Sequence, residues 1–318
     1  MTRILAALFF AVWLTIPSVG VAKSITDTYS TFWAFGDSLS DNGNLFAATG
    51  IPGAPYFDGR FSDGPVWNEG IINQFALENG QAPAVSALGL NTGNFAIGAA
   101  LATDKTNLLG PLPGLAAQVG AFLTSTAVTG SNPLLSFWAG ANDVFQNIDG
   151  LGGGVTAARE AADAVVGVIA ALSANPVFDD FLVFNLPDLG LTPRFAGTVL
   201  QQEATDAAEA FNTRLDIGLT FLDPNINVTK IDVLKLLRDA TANPGAFGVT
   251  NTNAPCIAVL VVCPTSLFFD DVHPTAKVHA LIEAEVRSAL APVPLPAGGM
   301  LLVFAVATFG AVRRRKTV

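Results

Sequence analysis

The sequence predicts an α/β protein, a three-layer α/β/α sandwich built on a mainly parallel sheet. Short apolar runs at Thr31–Phe35, Leu134–Ala139 and Phe181–Asn185 each lead into Gly, Asp or Asn. That is the pattern of buried strands ending in functional loops. Helical stripes lie between them, and strands alternating with helices in one sheet pair in parallel. In such sheets, ligands sit beyond the carboxyl ends of the strands.

The chain has 318 residues, and its two ends do not read as folded domain. Residues 1–22 carry Arg3, then an apolar run from Ile4 to Ile16 broken only by Thr15. Gly20 and Ala22 then supply small residues at the −3 and −1 positions of a cleavage site. This segment is expected to be a secretory signal peptide. Residues 23–291 form the expected folded domain, long enough for a full core.

Residues 40–66 are rich in Gly, Asn, Asp and Pro and read as a long loop over the sheet edge. Leu115–Leu123 is a short candidate helix. Val155–Ser173 places Ala158, Ala162, Val165, Val166, Ile169 and Leu172 on one face at helical spacing. Gln201–Leu222 and Thr275–Leu290 carry similar stripes, and Ile226–Ile231 is a further candidate strand.

At residues 292–318 a PVPLPA motif (292–297) precedes an apolar run to Val312 and then Arg313, Arg314, Arg315 and Lys316. Counted from Leu295, the apolar stretch is about 18 residues, near the lower limit for a membrane span. The basic cluster would hold its end in the cytoplasm. This order resembles the bacterial VPLPA-type (PEP-CTERM-like) sorting signal. The resemblance implies export machinery, a sorting protease, transient membrane anchoring, and a mature protein at the cell surface or outside the cell. A permanent tail anchor is the competing reading.

The two ends hold five of the 16 basic residues and none of the 26 acidic ones. The body between them is therefore more acidic than the net charge of −10 for the whole chain. That excludes nucleic acid as a natural partner and disfavours anionic membrane surfaces. Cys256 and Cys263 are the two cysteines. Export favours a disulfide between them, worth roughly 2.5 kcal/mol for so short a loop; two buried thiols are the alternative. No metal site is expected, since two cysteines and two separated histidines make a poor ligand set.

Histidine is the informative scarcity. Base chemistry near neutral pH by histidine has two candidates, His273 and His279. His273 follows Asp270 by three residues, and a carboxylate at that spacing across a tight turn can reach the imidazole Nδ1–H. Taken alone, the pair reads equally as a turn with a helix cap. Asp271 is one residue too close. His279 falls inside the following helical stripe and reads as a helix-face residue. Gly36-Asp37-Ser38 directly follows the first strand. A serine at a strand-to-helix turn can expose its Oγ beside backbone N–H groups suited to an oxyanion. An N-cap serine is the competing reading.

Four segments in order resemble the blocks of GDSL (SGNH) hydrolases. They are AFGDSLSDNGN (34–44), NFAIGAA (94–100), WAGAND (138–143) and DDVHP (270–274). PYFDGRFSDGPVWNE (55–69) and NLPDLGLTP (185–193) further resemble the secreted lipase-like branch. The resemblance implies a flavodoxin-like SGNH fold and a serine esterase or lipase without a cofactor. Ser38 would be the nucleophile, His273 the base and Asp270 its orienting carboxylate. The Ser38 and Gly98 backbone N–H groups and the Asn142 amide would hold the oxyanion. Asp37 and Asp143 read as loop-organising carboxylates.

Two departures bear on specificity. Ala99 stands where the family often has a second glycine, and Asp63 where it often has asparagine. The expected substrate is a lipid or other hydrophobic ester. The alternatives are an esterase removing O-acetyl groups from polysaccharide, or a non-catalytic surface or matrix protein on the same fold.

Overall fold

The computed structural model describes residues 24–81, 93–127 and 129–291. Residues 1–23 and 292–318, where a signal peptide and a sorting signal are expected, lie outside the described residues, and with them the anchoring and processing expected there. Among the described residues, no helix is long and apolar enough to cross a membrane.

The chain runs through α1 (Ile25–Thr28), β1 (Thr31–Gly36), α2 (Asn44–Thr49), α3 (Glu69–Glu78), α4 (Leu115–Thr124), β2 (Pro133–Trp138), α5 (Ala141–Asn147), α6 (Gly153–Ser173), β3 (Asp180–Phe184), α7 (Gln201–Leu219), β4 (Asn227–Ile231), α8 (Val233–Ala242) and α9 (Ala276–Leu290). The four strands pair in parallel in the order β1-β2-β3-β4. The α/β sandwich with a parallel sheet is the fold the sequence predicts.

Strand alternation builds the two outer layers. Trp33 and Phe35 of β1, Leu135 and Phe137 of β2, and Phe181 and Val183 of β3 face a core shared with α4, α6 and α7. Their neighbours Phe32, Ala34, Leu134, Trp138, Leu182 and Phe184 face a second core with α3, α8 and α9. The side chains of β1, β2 and β3 are buried on both faces, which explains why these strands read as continuous apolar runs rather than alternating ones.

Residues 93–97 run along the other edge of β1. Ala34 N–H donates to the Gly93 carbonyl (2.9 Å), Phe95 N–H to Ala34 (2.7 Å) and Ile97 N–H to Gly36 (3.1 Å). From β1, the chain therefore goes first to one side and then, through α4, to β2 on the other. The carboxyl end of β1 is the point where strand order reverses, and a crevice opens at such a point. Ser38 lies two residues beyond it.

The segment 40–66, expected to be loop, contains α2 and a single 3₁₀ turn at Phe57–Gly59. The buried Asp41 carboxylate nucleates α2 by accepting from the N–H groups of Gly43 (2.8 Å) and Leu45 (3.1 Å). A buried side-chain acceptor thus takes over the role of the N-cap residue, which is Gly43. Cys256 and Cys263 are joined in a disulfide.

Candidate active site

Gly36 closes β1 in a conformation few L-residues adopt (φ 150°), and a Cβ there would stand 2.1 Å from the Trp138 carbonyl oxygen. Only glycine lets β1 and β2 end this close together. Asp37 N–H donates to that same carbonyl (3.2 Å). The Asp37 carboxylate accepts from Leu39 N–H (3.0 Å) and tightens the turn that carries Ser38. Burial pushes the Asp37 carboxyl up to about 7 against that hydrogen bond.

The turn after Phe269 brings His273 to Ser38. His273 Nε2 lies 2.7 Å from Ser38 Oγ, and His273 Nδ1 lies 2.7 Å from Asp270 Oδ2. The other oxygen, Asp270 Oδ1, accepts from the backbone N–H groups of Val272 (2.9 Å) and His273 (2.7 Å). Burial alone would raise the Asp270 pKa. The hydrogen bond and charge of His273, with the two backbone donors, outweigh burial and hold it down near 2. Asp270 is therefore a fixed anion facing Nδ1. Asp271, the alternative carboxylate, is exposed.

Tyr56 is a member of this group that sequence reasoning missed. Its hydroxyl donates to Asp270 Oδ2 at 2.7 Å, so one oxygen receives both the tyrosine and the imidazole. Burial, followed by the hydrogen bond and charge of Asp270, pushes the phenol pKa up and keeps it a donor. The Tyr56 ring packs edge-on against Phe269 (5.1 Å), and Phe61 lies 4.9 Å from the His273 ring. The only sequence signal was the motif PYFDGRF itself, since a contact between positions 56 and 270 has no local signature. Asp63 accepts from Ala276 N–H (2.7 Å) and so caps the start of α9, a role that needs a short acceptor at this position.

Three of the residues singled out from sequence converge directly: Ser38, His273 and Asp270. Asn142 joins them as part of the same cleft wall. One N–H of its amide donates to the Ala100 carbonyl (3.0 Å), which fixes the side chain and leaves the second N–H available. The buried Asp143 carboxylate accepts from Ala102 N–H (2.8 Å) and Thr103 Oγ1–H (2.5 Å), tying this loop to residues 94–103.

Gly98 departs from expectation. Its N–H donates to Asp41 Oδ2 at 2.7 Å. A backbone amide has one hydrogen, so Gly98 is not placed to serve an oxyanion. Its missing Cβ has a packing cause: that atom would lie 2.3 Å from the Phe61 ring and 2.9 Å from Leu45. The next residue, Ala99, has a left-handed backbone (φ 61°), a conformation that costs an L-residue roughly 1–2 kcal/mol. Neither Ser38 N–H nor Ala99 N–H has a hydrogen-bond partner among the described residues. Asn185 accepts from Val233 N–H (2.7 Å) and starts α8, while Pro187 and Leu189 reach the cleft.

His279 lies in α9, fully buried, with neither ring nitrogen hydrogen-bonded among the described residues. Burial, and then the nearby His273, push its pKa down to about 3. Among the described residues, no cluster of His, Cys, Asp or Glu is arranged to hold a metal.

Residues 32–286 match the family model described as GDSL-like Lipase/Acylhydrolase. The chain is 29% identical over 240 residues to the phosphatidylcholine-sterol acyltransferase of Aeromonas hydrophila, covering 72% of this chain and 65% of that one. It is 26% identical over 279 residues to the thermolabile hemolysin of Vibrio parahaemolyticus (78% and 61%). It is 27% identical over 279 residues to the secreted effector protein SseJ of Salmonella typhimurium (81% and 62%). The matched part thus spans less than two thirds of each of these relatives. With its four motif blocks gathered at the carboxyl edge of a parallel sheet, the chain belongs to the GDSL-like lipase/acylhydrolase family, whose members act on ester bonds.

Proposed function

We propose that the protein is an exported serine esterase that hydrolyses hydrophobic carboxylic esters through an acyl-enzyme on Ser38. The observation that carries this reading is the unbroken line of hydrogen bonds from Ser38 Oγ through His273 to Asp270. Ser38 Oγ attacks the carbonyl carbon while its proton passes to His273 Nε2. Asp270, ionised and four times hydrogen-bonded, holds the Nδ1–H tautomer and stabilises the imidazolium. The tetrahedral intermediate collapses as His273 returns that proton to the leaving alcohol. Water, deprotonated by His273, then attacks the acyl-enzyme, and the acid leaves with Ser38 restored.

The negative oxygen requires donors that are already in place. The Ser38 N–H, the free Asn142 N–H and the Ala99 N–H fill this role. Ala99 replaces Gly98 because the Gly98 N–H is committed to Asp41, and the strained backbone at Ala99 is a cost that a functional site offsets elsewhere in the fold. The cleft beside Ser38 is walled by Trp138, Phe145, Leu189, Leu237, Phe268 and Ile282. Such a wall favours an apolar acyl group over the acetyl group of a polysaccharide ester.

Export is supported by the sequence of residues 1–22 and by the word "secreted" in the name of one relative. Anchoring and release by a sorting protease at 292–318 complete that proposal. A panel of p-nitrophenyl esters from acetate to palmitate, with Ser38→Ala as control, tests the chemistry. Turnover rising with acyl length and absent in Ser38→Ala is the expected result. Equal rates in the variant would reject the nucleophile.

A further inference from the structure

We infer that the disulfide-closed loop Cys256–Cys263 is an interfacial element that inserts into an uncharged lipid surface beside the active site. Between its cysteines the loop reads Ile-Ala-Val-Leu-Val-Val. Val259, Leu260, Val261 and Val262 all face solvent, with Val261 85% exposed. A run of four exposed aliphatic side chains is costly in water, and contiguous apolar surface of this kind marks a binding surface.

Three observations select lipid. First, residues 240–269 contain no Asp, Glu, Lys or Arg, in a chain that is 13% charged. A surface without charge has nothing to pair with an ionic peptide or an anionic headgroup, and it loses no ion hydration on entering an apolar phase. Second, a neighbouring loop also shows apolar side chains. Ile51 is 60% exposed and Phe57 40%, and Tyr56, next to Phe57, packs against the Cys256–Cys263–Phe269 cluster. Two loops joined through Tyr56 thus show apolar side chains, and together they form the rim proposed here.

Third, the rim is built onto the triad. Cys256 N–H donates to Phe268 (3.1 Å), Ile257 N–H to Phe269 (2.8 Å) and Phe269 N–H to His273 (2.8 Å). Tyr56 bonds Asp270 from the same cluster. A loop inserted to the depth of the headgroup–acyl boundary would set the cleft opening against esters held in the lipid. The disulfide keeps the loop in a fixed conformation, so little entropy is lost on insertion.

The inference rests on the esterase reading for its effect on turnover, but not for binding, so the two are read separately. In the full chain, Val261→Trp places a reporter at the loop tip; Trp33, Trp67 and Trp138 are buried. Phosphatidylcholine vesicles containing brominated acyl chains should blue-shift and quench the added fluorescence, beyond any change in the unsubstituted chain. No added quenching overturns the inference. A blue shift that grows with protein concentration in the absence of vesicles also overturns it, and makes a second copy the occupant.

In the second arm, Val261→Asp should lower hydrolysis of esters presented in phosphatidylcholine vesicles by tenfold or more while leaving p-nitrophenyl acetate turnover unchanged. An equal fall on both substrates would mean that the loop merely supports the fold. If the wild type hydrolyses no ester but the Val261→Trp reporter is quenched, the esterase reading fails and the interfacial one stands.

Discussion

The two histidines flank the start of α9 and have opposite environments. His273 sits in the turn before the helix, with an anion on Nδ1 and a hydroxyl on Nε2. His279 sits within the helix, where neither nitrogen has a partner among the described residues and the ring is held neutral by burial. The residue type is the same and so is the local chain. What equips one for the proposed role of base is the pair of groups brought to it, Ser38 from the end of β1 and Asp270 from the preceding turn. The other is a core side chain that carries a desolvation penalty for its two nitrogens.

Activity measurements can break this contrast most sharply. His273→Ala should lower kcat on a soluble ester by on the order of a million-fold, as loss of a triad histidine does. His279→Leu, measured per folded enzyme, should change it less than tenfold. Comparable losses in two folded variants would remove the distinction. Asp270→Asn should cost roughly ten-thousand-fold by leaving the imidazole in the wrong tautomer, and Asp271→Asn almost nothing. The reverse ranking would transfer the orienting role to Asp271.

Smaller effects refine it. Asn142→Ala should lower kcat about 100- to 1000-fold with KM little changed, because an oxyanion donor acts on the transition state. A raised KM at constant kcat would make Asn142 a ground-state contact. Tyr56→Phe removes one hydrogen bond to Asp270 and should cost about two- to tenfold in kcat. An unchanged kcat would leave Tyr56 as packing alone.

His279→Leu should instead be visible in stability. The unfolded chain takes up a proton on this histidine near 6.5, the folded chain only near 3. Its contribution is therefore whole above pH 6.5 and is lost as pH falls through that window, by up to about 1.4 kcal/mol per pH unit. The leucine variant should gain on the wild type in urea unfolding between pH 6.5 and 5. A constant difference across that range would show that the histidine is not held neutral by the fold.

The sheet was legible because β1, β2 and β3 are buried on both faces and so read as apolar runs. The stripes of α4, α6, α7 and α9 were legible because one face of each meets the core. Helix α8 was not, although Val233, Leu237 and Ala240 repeat at helical spacing and are buried. It begins two residues after β4, where the Asn185 and Asp232 side chains start it from the previous turn of chain. Ser38, Asp270 and His273 could be found from local spacing and motif. The misassignment of Gly98 arose because a glycine in a functional block suggests close approach to substrate, whereas here it makes room for Phe61. That Asp41 takes its N–H, and that Ala99 adopts φ 61°, are consequences of folding residues 41–45 against 94–100, and no single segment encodes them.

The central claim is that Ser38 is the nucleophile, and covalent trapping tests it most directly. The protein would be treated with a fluorophosphonate, which phosphonylates an activated serine, and the modified peptide identified by mass spectrometry. One adduct should form, on Ser38, and its formation should fail in both Ser38→Ala and His273→Ala. An adduct on another residue, or ester hydrolysis that survives complete modification of Ser38, would contradict the account.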